Sequence, residues 1–219
     1  MGVLLTGFPA GMLACNCYVL ADRQGSDAIV VDPGQRAFAP LRRILDENRL
    51  TPAAVLVTHG HIDHIWSAQK VADTFGCAVY IHPADRHMLT DPIRGFGPRI
   101  AQVAFGTLFR EPRQVVELDR DGAVLNLGGI TVTVDHTPGH TRGSVSFRAS
   151  DVVFTGDTLF KQSVGRTDLP GGSGRDLLDS IISKLLVLDD DTRVLPGHGE
   201  ATTIGAERGA NPFLQGIRL

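Results

Sequence analysis

Short apolar runs alternate with helical periods along most of the chain. Met1–Leu5 leads directly into a strand, and Tyr18–Ala21 and Ile29–Asp32 are β-branched or apolar runs closed by Asp, Gln and Gly. Leu41, Ile44 and Leu45 fall at helical spacing behind Pro40, a residue suited to a first turn. Pro52 closes that helix region, and Ala54–Val57 reads as a short buried strand. Trp66–Phe75 predicts a helix stopped by Gly76, and Val79–Ile81 predicts another strand. Val124–Leu127 and Ile130–Val134 flank Gly128-Gly129, a hairpin signal. Val145–Phe147, Val152–Thr155 and Arg193–Leu195 are further short strands, with helices over Leu177–Leu186 and Thr203–Gly209. Between residues 83 and 113 neither period holds. Its arginines and glycines predict a helical insertion or lid rather than sheet.

Alternating strands and helices without a Pro/Ser-rich linker predict one α/β domain over residues 1–219. The net charge of -3 supplies no basic field for nucleic acid. No apolar run reaches the ~18 residues of a membrane-spanning helix, and no signal peptide is legible at the start. The three cysteines cannot form a disulfide framework in a chain this long, which fits a reducing cytoplasm. Cys15 and Cys17 read as small buried hydrophobes, because a Cys-x-Cys pair alone makes a poor zinc site.

The eight histidines change the picture. Thr58-His59-Gly60-His61-Ile62-Asp63-His64 packs three imidazoles and a carboxylate into one turn between a strand and a helix. Three isolated candidates follow, each beside a glycine: His140 in Pro138-Gly139-His140, Asp157 in Gly156-Asp157, and His198 in Gly197-His198-Gly199. The last two directly follow predicted strands, where α/β architectures gather their sites. Imidazoles with a few carboxylates suit one or two borderline divalent cations.

With these motifs the chain resembles the metallo-β-lactamase superfamily over nearly its whole length. The resemblance implies an αββα sandwich, two mixed sheets flanked by helices, with the metal site at one sheet edge. It implies that His59, His61 and His140 hold one ion. Asp63, His64 and His198 hold a second, and Asp157 bridges the two. The cofactors would be two divalent ions, zinc first, with iron or manganese also fitting this ligand set. A hydroxide bridging the ions would be the nucleophile, with Asp63 as the catalytic proton acceptor.

Asp157 stands where the commonest zinc β-lactamases carry cysteine. The run Leu159-Phe160-Lys161-Gln162-Ser163-Val164-Gly165-Arg166-Thr167-Asp168-Leu169-Pro170-Gly171-Gly172 is instead similar to short bacterial glyoxalase II-like hydrolases. So are Asn16-Cys17-Tyr18 and the ending from Ile204 to Leu214. That branch implies a thioesterase cleaving S-(2-hydroxyacyl)glutathione or a related thiol ester. With so little sequence after His198, the chain is expected to lack the helical domain by which full-length glyoxalase II grips glutathione. Arg166 falls where the family places a lysine for the thiol's carboxylate. It reads either as a substrate-binding residue or as a turn arginine paired with Asp168. Persulfide dioxygenases, with one iron on His59, His140 and Asp157, are the alternative. The expected partner is a small-molecule thiol ester in the cytoplasm, with no nucleic acid and no membrane. Oligomeric state stays open. His82 and His87 read as bystanders, and His136 as a residue behind the ligands.

Overall fold

The computed structural model describes residues 3–92 and 109–215. Strands β1 (Leu4–Ala10), β2 (Cys15–Ala21), β3 (Asp27–Val31), β4 (Thr51–Leu56), β5 (Ala78–Ile81) and β6 (Val115–Glu117) form one sheet in chain order. β1, β2 and β3 pair antiparallel, and β3 to β6 run parallel. The second sheet has the order β14-β13-β10-β9-β8-β7. Its strands are β7 (Ala123–Leu127), β8 (Ile130–His136), β9 (Val145–Ala149), β10 (Val152–Gly156), β13 (Arg193–Pro196) and β14 (Thr202–Thr203). Only β10 and β13 pair parallel in this sheet. The hairpin β11 (Leu159–Phe160) and β12 (Ser163–Val164) stands apart.

Period-2 alternation builds three apolar layers from these strands. In β2, Tyr18 and Leu20 face inward to meet Phe147, Phe154 and Leu195 of the second sheet. Cys17, Val19 and Ala21 face outward onto helices α1 (Phe38–Asn48) and α3 (Ala68–Phe75), against Leu41, Leu45, Val71 and Ala72. On the far side, Val153 and Val194 pack on Leu177, Ile181, Leu185 and Ile204. Those residues belong to helix α5 (Gly174–Ser180), the π-helical turn Ile181–Leu185 and helix α6 (Ile204–Ala210). The order helix, sheet, sheet, helix is the expected αββα sandwich.

Several elements differ from the sequence reading. The helix expected over Trp66–Phe75 is α3, starting two residues later at Ala68, and a separate turn of helix, α2 (Ile62–Ile65), precedes it across a break at Trp66-Ser67. Ser67 anchors the break, its N–H donating to Pro33 O and its Oγ to Gly34 O. The helix expected over Leu177–Leu186 begins earlier, where the Ser173 side chain accepts from Asp176 N, and ends in the π-helical turn. β1 extends to Ala10 and tolerates Pro9 because it is an edge strand. The insertion expected over residues 83–113 falls largely outside the described residues. Its described start carries helix α4 (Pro83–Arg86) and the 3₁₀ turn His87–Leu89. Among the described residues, no helix is long and apolar enough to cross a membrane.

The two sheets meet at one end. Val145 N donates to Thr58 O, Asn16 N donates to Gly197 O, and Gly197 N donates to Gly156 O. These bonds draw the turn before β2 and the turns after β4, β8, β10 and β13 to a common edge.

Candidate metal centre

All seven candidate ligands converge at that edge. His59 Nε2 and His140 Nε2 lie 3.1 and 2.8 Å from His61 Nδ1, so three ring nitrogens face one point. Across the cleft His198 Nε2 lies 3.2 Å from Asp63 Oδ2, and His64 Nε2 lies 3.7 Å from the same oxygen. Asp157 stands between the groups. Its Oδ1 is 3.4 Å from His64 Nε2, and its Oδ2 is 3.5 Å from His140 Nε2 and 3.6 Å from His198 Nε2. The two-fold division expected from the sequence therefore has a geometric counterpart.

Neighbouring acceptors decide which nitrogen of each ring carries its proton. His140 Nδ1 faces Arg166 O at 2.8 Å, and His198 Nδ1 faces Leu13 O at 3.0 Å. Each must donate there, which makes Nε2 the nitrogen that can bind a cation in the cluster, once its own proton is displaced where it holds one. Asp32 does the same for two more rings. Its Oδ2 accepts from His64 Nδ1 at 2.9 Å and from Thr58 Oγ1 at 2.6 Å. With its proton committed to Asp32, Thr58 Oγ1 accepts from His59 Nδ1 at 3.2 Å. Thr58 N also donates to Asp32 Oδ1, fixing the entry to the His-rich turn.

A second buried carboxylate ties the loops together. Asp85 accepts from Gly60 N at 2.9 Å, Thr141 Oγ1 at 2.7 Å and Gly143 N at 3.0 Å. It thus joins the turn carrying His59 and His61 to the loop carrying His140. Asn16 plays the matching part for His198: its Nδ2 donates to Pro196 O and Gly199 O, and Tyr18 Oη donates to Pro196 O. The sequence reading missed Asp32, Asp85 and Asn16 in these positions. Asp32, in Asp-Pro-Gly at a strand end, carried a readable signal of a site-facing carboxylate, and the other two carried none.

The electrostatics divide along the same line. Burial holds His59 far below its ordinary range and, helped by the neighbouring imidazoles, pushes His61 down to about 3. These rings stay neutral, with lone pairs available. Burial also opposes charge on His64, but Cys15, Asp157 and Asp32 outweigh it and raise the imidazole well above its ordinary value. His198 is raised too, because Asp63 and Asp157 overcome its burial. Asp63 and Asp157 are held low despite burial, Asp63 chiefly by the His198 hydrogen bond and Asp157 chiefly by His64. The Asp63–His64–His198 side attracts positive charge, and on the trio side His59 and His61 offer neutral nitrogen donors. His64 Nε2 and Asp157 Oδ1 are buried with no hydrogen-bond partner. They face each other at 3.4 Å, a poorly formed contact that leaves both free to bind a cation. The donor set fits divalent cations.

A pH dependence follows from this division. An ion on His64 and His198 must displace protons that those rings hold more tightly than usual, whereas His61 stays neutral down to about 3. As pH falls, the ion beside Asp63 is expected to leave first and the ion of the trio later. Metal per chain, counted after equilibration at descending pH, should step from two to one to none. Simultaneous loss would contradict the asymmetry.

Gly197 shows how close the packing is. A Cβ there would overlap Asp157 Oδ1 and lie 2.6 Å from His64 Cε1. Gly197→Ala is expected to keep the fold and lose at least about tenfold in metal affinity, by analogy with perturbed outer partners of metal sites. Unchanged metal titrations would show that the loop yields.

The cluster opens into a cavity of about 700 Å³. Leu13, Ile62, Pro92, Phe160, Val164 and Leu169 form its apolar wall, and Arg166 is at its rim. The Arg166 guanidinium pairs with Asp168 at 2.7 and 2.8 Å, as the reading of a paired turn arginine expects. His136 donates from its backbone N–H toward Asp121 and stacks on His82 with ring centroids 4.2 Å apart. Cys17 and Cys77 pack in the outer apolar layer as expected. Cys15 is fully buried too, and its sulfur in addition lies within 4.8 Å of ligand atoms of Asp63, His64 and His198.

A family model described as "Metallo-beta-lactamase superfamily" matches residues 10–198. An uncharacterised protein of Mycobacterium tuberculosis is 72% identical over 98% of this chain and 99% of its own length. The hydroxyacylglutathione hydrolase GloC of Haemophilus influenzae is 36% identical over 91% of this chain and 92% of its own. Among solved structures, the B3 metallo-beta-lactamase BLEG-1 is 40% identical with a TM-score of 0.84, covering 97% of this chain and 100% of that one. A di-iron-bound form of TTHA1623 is 34% identical with a TM-score of 0.77, covering 98% and 100%.

Proposed function

The chain belongs to the metallo-beta-lactamase superfamily, and on that premise we propose that it is a binuclear metallo-hydrolase that cleaves thiol esters of the S-(2-hydroxyacyl)glutathione type. The observation that carries this reading is Asp157, whose Oδ1 lies 3.4 Å from His64 Nε2 and whose Oδ2 lies 3.5 Å from His140 Nε2 and 3.6 Å from His198 Nε2, so one carboxylate reaches both groups. The similarity to GloC supports the thiol ester as substrate class. The ions would sit between His59, His61 and His140 and between Asp63, His64 and His198, with zinc as the first choice. When bound, such ions make water a strong nucleophile at neutral pH and stabilise negative charge on an attacked carbonyl.

The chain's own residues do the rest. The Asp63 carboxylate, ionised at neutral pH, takes up the proton that the attacking water gives up. The apolar wall of Phe160, Val164 and Leu169 receives the acyl and thiol carbon chains and keeps bulk water from the reacting carbonyl. A thiolate is a good leaving group and needs no strong acid. Arg166 is exposed, as is Asp168, so it can exchange that partner for a substrate carboxylate. Its backbone carbonyl, which fixes His140, is retained in any side-chain variant. The same reading places a single catalytic domain in the cytoplasm, acting on a small molecule without nucleic acid or membrane.

The test compares kcat/KM of the metal-loaded protein on S-lactoylglutathione, a neutral thiol ester and a chromogenic cephalosporin, with oxygen uptake on glutathione persulfide beside them. Thiol ester hydrolysis well above the other activities is expected. Dominant β-lactam turnover, or one iron per chain with rapid oxygen uptake, would overturn the reading. Arg166→Ala should raise KM for carboxylate-bearing thiol esters several-fold more than for the neutral one, with kcat little changed. An equal effect on both would remove Arg166 from substrate binding.

A further inference from the structure

Cys15 opens β2 at the sheet edge that carries the cluster and is fully buried, yet it belongs to none of the three apolar layers. Cys17, two residues on, packs with Val19 against the helices. The Cys15 sulfur, a carboxylate oxygen of Asp63 and one ring nitrogen each of His64 and His198 lie mutually within 4.8 Å. A second observation points to a ligand in the same place: His64 Nε2 is buried there and makes no well-formed hydrogen bond, its facing oxygens being Asp157 Oδ1 at 3.4 Å and Asp63 Oδ2 at 3.7 Å. Its other nitrogen is committed to Asp32.

We propose that Cys15 is a sulfur donor to the ion on the Asp63–His64–His198 side, so that the two halves of the centre differ in softness as well as charge. The trio side presents three imidazoles. The other side presents two imidazoles, carboxylate oxygen and a thiolate, a mixture that favours zinc over hard ions such as manganese or magnesium. On coordination the S–H bond breaks, the proton passes to solvent, and the sulfur lone pair forms the bond to the ion. No electrons are exchanged. This goes beyond the proposed hydrolysis and rests only on the centre holding an ion on that side.

Cobalt(II) titration of the apoprotein tests it, because a thiolate on cobalt gives a near-ultraviolet charge-transfer band that imidazole and carboxylate do not. The wild type should show the band as the second equivalent binds, and Cys15→Ser should lack it. In Cys15→Ser, zinc affinity on that side should fall by more than about 100-fold, beyond the ~10–100-fold expected of a partner outside the coordination shell. Affinity of the trio side should be unchanged. If Cys15→Ser does not fold, the variant carrying both Cys17→Ala and Cys77→Ala decides, since Cys15 is then the only thiol among the three cysteines. Absence of the band from the wild type, or its persistence in Cys15→Ser, overturns the proposal. Loss of thiol ester turnover with the band intact would instead count against the proposed substrate.

Discussion

Asp157→Ala is expected to lower metal content from two ions per chain to one or none, and to cut kcat/KM on a thiol ester by at least about a thousandfold. The carboxylate is the only described side chain with an oxygen turned toward each half of the cluster. Its removal takes a negative charge from between two would-be cations, which then repel each other without compensation. Charge stabilisation by a bound ion is worth several kcal/mol, and each ~1.4 kcal/mol is a factor of ten in rate. Asp157→Asn keeps the volume and one oxygen, so it should retain more metal than alanine and still lose activity. Atomic absorption on dialysed protein reads the count. Unchanged occupancy by two ions in Asp157→Ala would remove the bridging role.

His59→Ala should be as severe for a different reason. His59 is fully enclosed, its Nδ1 is fixed through Thr58 by Asp32, and its Nε2 faces His61. Alanine leaves a cavity where a neutral donor stood, and water in that space cannot restore the geometry. The trio-side ion should be lost, the Asp63-side ion retained in part, and turnover should fall to the background of the metal-free protein. Metal content and turnover equal to wild type would contradict the whole centre. A melting temperature measured alongside separates loss of the ion from loss of the fold.

The layers of the fold were legible because β2, β3, β4, β8 and β10 are apolar runs with clear ends, and because Gly128-Gly129 marks a hairpin. β6, β11, β12 and β14 were not, since strands of two or three residues carry no measurable period. The break between α2 and α3 was invisible because it is made by Ser67 bonding to Pro33 and Gly34, more than 30 residues away in the chain. The seven candidate ligands could be found because four share one turn and the others sit beside glycines. Asp32, Asp85 and Asn16 act through contacts made only after the sheets meet, and nothing local distinguishes Asp85 from a surface acid. Cys15 is buried as its sequence reading expects, but its neighbours were not legible: in one dimension it is half of a Cys-x-Cys pair in an apolar run. In three dimensions the strand's mouth end leaves it beside Asp63, His64 and His198.

The most direct test of the account is a crystal structure of the metal-loaded protein with its ions located and identified by anomalous scattering. Two peaks are predicted, one among His59, His61 and His140 and one among Asp63, His64 and His198, both bordering Asp157. A single peak held by His59, His140 and Asp157 would contradict the binuclear centre and the hydrolytic reading built on it.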